Sequence, residues 1–195
     1  MSIILAVATS DIAILKCDGR MRGPDNEIID EKRKKFNIIN EHFVVGFTGN
    51  SGFVSAVLDK TLEMGRILGY DLKMLSVNSF APILQKVLVE NENLIKQNAV
   101  IKAGFVLIGL EDNKIIMKAI STGDGLEIID YTPLENGSIK YLSLVSDRAS
   151  RAKGFPEFYT KSESLTTNMD NFIRYIATLD DSVNTNITTF LLKRK

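Results

Sequence analysis

The sequence predicts an α+β fold of four layers, an αββα sandwich with helices outside two antiparallel sheets. Three observations carry that expectation. Apolar strand-like runs open the chain, two helical stripes follow each other in its middle, and more strands, a helix and a strand close it. Turn signals between the strands imply antiparallel pairing, and helices grouped in sequence imply helix layers outside the sheets. A two-layer α+β fold is the alternative arrangement. The 195 residues suit one domain over 1–195, and the chain holds no internal repeat, linker or low-complexity tract.

Ile3 to Ala8 and Ile12 to Leu15 are continuous apolar runs around Thr9-Ser10-Asp11. A half-exposed strand would alternate, so this hairpin is expected to be buried on both faces. Gly23-Pro24-Asp25 marks Met21 to Asn26 as a loop. Lys35 to Ile39 and His42 to Phe47 form a second hairpin around Asn40-Glu41. Asn50-Ser51 can cap a helix whose face carries Val54, Val57, Leu58, Leu62 and Leu68. A second helix follows Ser79, with Pro82 in its first turn and a stripe broken only at Asn91. Strands follow over Ala103–Leu110, Lys114–Ser121, Leu126–Tyr131 and Ile139–Val145. Asp112-Asn113, Asp124-Gly125 and Asn136-Gly137 supply the turns between them. Asn168 to Leu179 is a helix and Ile187 to Leu192 a last strand, while Arg148 to Ser164 fits a loop or short helix.

Composition removes several classes of function. With 24 basic and 24 acidic residues, the chain has no global charge to attract nucleic acid or an anionic membrane. Its 45% hydrophobic content is too high for a disordered chain. One cysteine, Cys17, excludes an internal disulfide and a multi-Cys metal cluster, and is expected to be reduced and buried. The only histidine, His42, has no imidazole or cysteine partner for a metal and no serine elbow nearby. The MSIILAVATSD start carries no positive leader, and no stretch approaches the ~20 apolar residues of a membrane helix. A cytoplasmic location is the expectation. Gly46 to Gly52 precedes a helix but lacks the Gly-Lys-Ser/Thr ending of a phosphate-binding loop.

Chemistry gathers at the N-terminus. Methionine followed by a small residue is readily removed, which would leave Ser2 first. Such a residue carries a hydroxyl nucleophile and a free α-amine of pKa about 7.7–8.0, able to act as general base at neutral pH. A nearby ammonium favours the neutral amine and stabilises developing negative charge, and a carboxylate would hold that ammonium in place. Asp18 and Lys34 are the candidates, although a charge run such as Asp30 to Lys35 is ordinarily a solvated shoulder.

Ser2-Ile3-Ile4, Asp18-Gly19, Arg33-Lys34-Lys35-Phe36-Asn37-Ile38 and Val45-Gly46-Phe47-Thr48-Gly49 together resemble the N-terminal half of proteasome β-subunits and the HslV-type peptidase. Ser2 to Asp18 and Asp18 to Lys34 are each 16 residues (18 − 2 and 34 − 18), as in that family's nucleophile, aspartate and lysine. The Lys-x-Phe-x-Ile register selects Lys34 over Lys32 and Lys35. Asp181-Ser182-Val183-Asn184 is similar to the family's Asp-Ser-x-Ser segment, with Asn184 replacing its second serine. Val145-Ser146-Asp147 stands where the family has Gly-Ser-Gly.

The resemblance implies the Ntn-hydrolase sandwich without the α-type subunit's extra N-terminal helix. It also implies cleavage of peptide bonds by Ser2, with Lys34 held by Asp18, the Gly46 N–H as oxyanion donor, and Ser146 and Asp181 ordering the N-terminus. A homo-oligomeric ring, a peptide or unfolded-protein substrate and an ATPase unfoldase are the partners it implies, with no cofactor or metal. Two other functions remain open: an inactive proteasome-like structural or assembly protein, and a small-molecule amidase on the same fold.

Overall fold

The computed structural model describes residues 3–23, 25–98, 101–135, 137–145 and 154–194. Strands β1 (Ile4–Ala8) and β2 (Ile12–Asp18) form the expected hairpin. With β10 (Lys140–Leu144) and β11 (Ile187–Lys193) they make a four-stranded antiparallel sheet in the order β10-β1-β2-β11. A second antiparallel sheet runs β5-β6-β7-β8-β9, from β5 (Phe36–Asn40), β6 (Phe43–Gly49), β7 (Ala103–Glu111), β8 (Lys114–Ser121) and β9 (Ile129–Asp130). A small ribbon pairs β3 (Met21–Arg22) with β4 (Ile28–Asp30). Helices α1 (Ser51–Ile67), α2 (Val77–Glu90) and α3 (Glu92–Gln97) lie between β6 and β7 in sequence, and α4 (Phe155–Phe158) and α5 (Leu165–Leu179) between β10 and β11.

Side-chain alternation turns these elements into four layers. On β1, Ile4, Ala6 and Ala8 face the second sheet, packing with Val44, Val106, Ile108 and Met117. Ile3, Leu5 and Val7 face the other way, onto Met169, Phe172, Ile173 and Ile176 of α5. On β6, Val44 turns inward while Phe43 and Val45 join Val57, Leu58, Phe80, Leu84 and Leu88 of α1 and α2. The layer order is therefore α5, first sheet, second sheet, α1/α2, the αββα sandwich. The uninterrupted apolar run of β1 exists because both faces of that strand meet a core.

Several boundaries shift for local reasons. Helix α2 starts at Val77 because Ser76 and Ser79 form a reciprocal capping box, which puts Pro82 in the second turn. Asn91 ends α2 by donating Nδ2–H to the Val87 carbonyl at 2.8 Å. Ser164 caps α5 three residues earlier than expected. Asp112 and Asn113 take positive φ (48° and 58°), the left-handed pair a two-residue hairpin needs. The loop expected over 21–26 is the tip of the β3–β4 hairpin. No helix among the described residues is long and apolar enough to cross a membrane.

Candidate active site

The site is built where β2 ends. Asp18, fully buried, offers Oδ1 to the Ile3 backbone N–H at 2.9 Å and to Lys35 Nζ at 2.7 Å, while Oδ2 accepts the Arg20 N–H at 2.9 Å. One carboxylate thus fixes the amide beside the chain start, a lysine and the exit of its own strand. Burial pushes the Lys35 ammonium below the usual lysine range, and the charge and hydrogen bond of Asp18 oppose that shift. Lys35 remains the group that neutralises Asp18 in a dry setting, where an unpaired carboxylate is costly.

Lys34 does not meet Asp18. Its Nζ lies 5.7 Å from the centroid of the Phe36 ring, and the side chain is exposed. The shift of one residue along the chain has a local cause. In the β3–β4 ribbon Met21 pairs with Asp30 and Arg22 with Ile28, so Ile29 is an extra residue on the return strand. This bulge lies between Asp18 and the lysines, and the residue reaching Asp18 is 17 positions on (35 − 18). Lys35 is held there by its carbonyl, which accepts the Phe47 N–H at 2.9 Å and extends β5 by one rung.

Gly46 is buried in mid-strand, between Phe36 on one side and Val106 on the other. The His42 carbonyl accepts from Leu110 N–H, and Asn50 N–H donates to the Lys102 carbonyl, both at 2.9 Å. The antiparallel alternation between those two bonds directs the Gly46 amide at β7 and the amides of Val45, Phe47 and Gly49 at the β5 side. Gly46 is thus committed to the sheet. Gly49 is not, because β5 does not reach so far. Gly49 has φ of 113°, and a Cβ there would stand 1.8 Å from the Lys102 carbonyl oxygen, so only glycine fits.

Beside Lys35 and Gly49 opens a cavity of about 530 Å³, floored by Phe47 and Thr48 of β6 and the first turn of α1, and walled by the β3–β4 ribbon. Asp181 sits at its rim: its carboxylate pairs with Arg22 at 3.3 Å, and its carbonyl accepts from Arg20 (2.5 Å) and Arg22 (2.7 Å). Neighbouring Asp180 is the buried one of the two, taking the Ser182 N–H at 2.8 Å. Ser182 Oγ is buried without a hydrogen-bond partner, and the next residue, Val183, packs in the same cluster as Ile3. Asn184 accepts the Gly19 N–H at 2.9 Å and donates to the Glu31 carbonyl at 2.8 Å, tying the 180s loop to the ribbon. Ser2 and Ser146 lie outside the described residues.

Cys17 is buried, and desolvation raises its thiol pKa despite the Thr188 hydroxyl 2.9 Å away. A protonated buried thiol is no nucleophile. His42 falls in the β5–β6 turn beside Glu41, away from this cluster in sequence and sheet position. The sequence reading did not single out Lys35 or Gly49, and it quoted Ser182 only within the Asp-Ser-x-Ser likeness. The signal for Lys35 was the bulge-prone ribbon, which residue counting does not register.

No protein-family model and no curated protein matches the sequence. Solved structures do. HslV from Trypanosoma brucei superposes with a TM-score of 0.69 at 18% identity, covering 98% of this chain and 99% of that one. Anbu, an ancestral beta-subunit, from Yersinia bercovieri gives 0.71 at 13% identity, covering 98% and 81%. An Anbu mutant from Hyphomicrobium sp. strain MC1 gives 0.73 at 14% identity, covering 100% and 82%. The fold is the proteasome-like Ntn-hydrolase sandwich. At these identities the likeness carries the architecture, and the chemistry must come from the residues.

Proposed function

We propose that this chain is a proteasome-like N-terminal-nucleophile hydrolase that cleaves peptide bonds after removal of Met1. The observation that carries the reading is the triple use of Asp18, which holds Lys35 and the Ile3 amide on one oxygen directly after the residue that would be the nucleophile. In the mechanism, the Ser2 hydroxyl attacks the substrate carbonyl carbon and passes its proton to its own α-amine. Lys35, through its positive charge, keeps that amine neutral beforehand and stabilises the oxyanion as it forms. The Gly49 N–H takes the oxyanion role that the resemblance assigned to Gly46. The amine then returns its proton to the leaving nitrogen as the C–N bond breaks, leaving an ester on Ser2. Water attacks that ester, releases the acid and restores the hydroxyl.

Asp180, Asp181 and Ser182 fit a role in ordering the chain start, together with Ser146 from the sequence reading. Peptides or unfolded segments are the substrate class, and a homo-oligomeric cytoplasmic ring, with an ATPase unfoldase, is the setting proposed for it. The test is an assay of fluorogenic peptides with purified protein and its Ser2→Ala variant. Hydrolysis by the first and a loss of at least about a thousandfold in the second supports the reading. Equal rates in the two proteins overturn it.

A further inference from the structure

The cavity beside Lys35 has a charge pattern that its scaffold does not use up. Four cations line it, Arg20, Arg22, Arg33 and Lys35, and among the described residues no Asp or Glu does, the Asp181 carboxylate standing at the rim on Arg22. Three of them have a carboxylate partner: Arg20 with Glu31 at 3.1 Å, Arg22 with Asp181 at 3.3 Å, and Lys35 with Asp18 at 2.7 Å. Arg33 differs. Its backbone N–H donates to the Gly19 carbonyl at 2.9 Å, but the residue is exposed and its guanidinium forms no ion pair within 4.0 Å among the described residues.

Two further features of the same walls ask for an acceptor. Helix α1, 17 residues long, starts at the cavity with Asn50, Ser51 and Gly52 in the lining and no acidic residue in its first turn. Asn50 Oδ1 caps this end by accepting the Phe53 N–H at 3.0 Å, and no carboxylate of the first turn offsets the positive end of the dipole. Thr48 Oγ1 and Arg22 Nε, both on lining residues, are buried without any hydrogen-bond partner, which is rare for buried polar atoms. Met21, Ile29, Phe47 and Val54 supply apolar wall for the methylenes of a side chain with a polar head.

We propose that this cavity receives a carboxylate side chain, so that the substrates are peptides with Glu or Asp at the residue seated there, with Arg33 as its counterion. The proposal rests on the hydrolase reading for its substrate but on the cavity walls for its charge. Hydrogen bonds to an ionised acceptor are about twice as strong as neutral ones, so the preference for Glu over the isosteric Gln is expected to be roughly tenfold. Screening of a partly exposed guanidinium makes it shrink as salt is raised.

The experiment uses matched peptidyl-coumarins that differ only in having Glu, Gln, Leu or Arg ahead of the scissile bond. They are assayed with the full-length protein and with Arg33→Ala and Arg33→Glu. Dye-labelled uncleavable versions are titrated against Ser2→Ala by fluorescence anisotropy, which reads charge preference without turnover. Expected are a roughly tenfold Glu/Gln ratio in kcat/KM and in binding, its collapse towards one in Arg33→Ala, and a preference for Arg in Arg33→Glu. Cleavage with Glu and Gln used equally, or with Leu or Arg favoured, overturns the acidic pocket and leaves the hydrolase reading intact. Glu-selective binding that depends on Arg33, without cleavage of any peptide, supports the pocket and overturns the hydrolase. No binding of any peptide overturns the pocket.

Discussion

At Asp18 a single buried oxygen takes two donors, and the second of these separates two adjacent lysines. Replacing Lys35 by Met leaves that carboxylate without its counterion, which should cost on the order of 3–5 kcal/mol, read as a lowered midpoint in urea. Lys34→Met removes an exposed cation from a ring face and should cost less than about 1 kcal/mol, with peptide hydrolysis retained. The pH profile follows from the same two groups. Activity should rise as the α-amine loses its proton, below the ordinary ~7.7–8.0 because the neighbouring Lys35 charge favours the neutral amine. It should fall again as Lys35 loses its charge, at a pH below the ordinary lysine value because burial lowers its pKa. An alkaline limb at or above ~10.4 in a kcat/KM profile would contradict the Lys35 assignment. At this scale the sequence made Asp18 legible, since an acidic residue closing an apolar strand stands out. The choice between Lys34 and Lys35 was not legible. One extra residue at Ile29 decides it, and a bulge in a ribbon this short leaves no periodicity behind.

Among the elements, β6 is the one that joins sheet to site. Its residues up to Phe47 are paired on both sides, and Gly49 is where pairing on the β5 side stops. Gly49→Ala should therefore be severe, because its Cβ meets backbone and φ is left-handed; a loss beyond about 2 kcal/mol together with loss of hydrolysis is expected. Gly46→Ala should be milder. Its Cβ would meet the tip of the Leu15 side chain at 2.9 Å, which can rotate away, so urea denaturation should show a loss of about 1–2 kcal/mol. Hydrolysis kept in Gly49→Ala but lost in Gly46→Ala would contradict the Gly49 assignment. The long elements were legible because their period repeats: β1, β2, β8, α1 and α5 lie within a few residues of their expected places. The β3–β4 ribbon, two and three residues long with Ile28 and Ile29 exposed, offered only turn residues to read. It is nonetheless the wall of the cavity.

The whole molecule places the candidate site at the end of β2, among loops and the start of α1, with the four layers behind it as a rigid support. Layer order was legible because the runs Ile3–Ala8 and Ile12–Leu15 are apolar on both faces, which demands a neighbour above and below. Assembly is a property of the surface. Ile67, Leu68 and Met74 are 77%, 60% and 81% exposed near the end of α1, large apolar side chains that an isolated subunit would leave in water. The proposed ring should appear by light scattering as one species of many subunit masses, and Met74→Asp should shift it to smaller species; a monomer at micromolar concentration would contradict the ring. The most direct test of the nucleophile is the intact mass of the protein before and after treatment with an acylating β-lactone. Expected is a chain beginning at Ser2 that gains one adduct, with none on Ser2→Ala and an undiminished one on Lys34→Met. A chain that retains Met1 and gains no adduct, or an adduct that persists in Ser2→Ala, would contradict the Ser2 assignment.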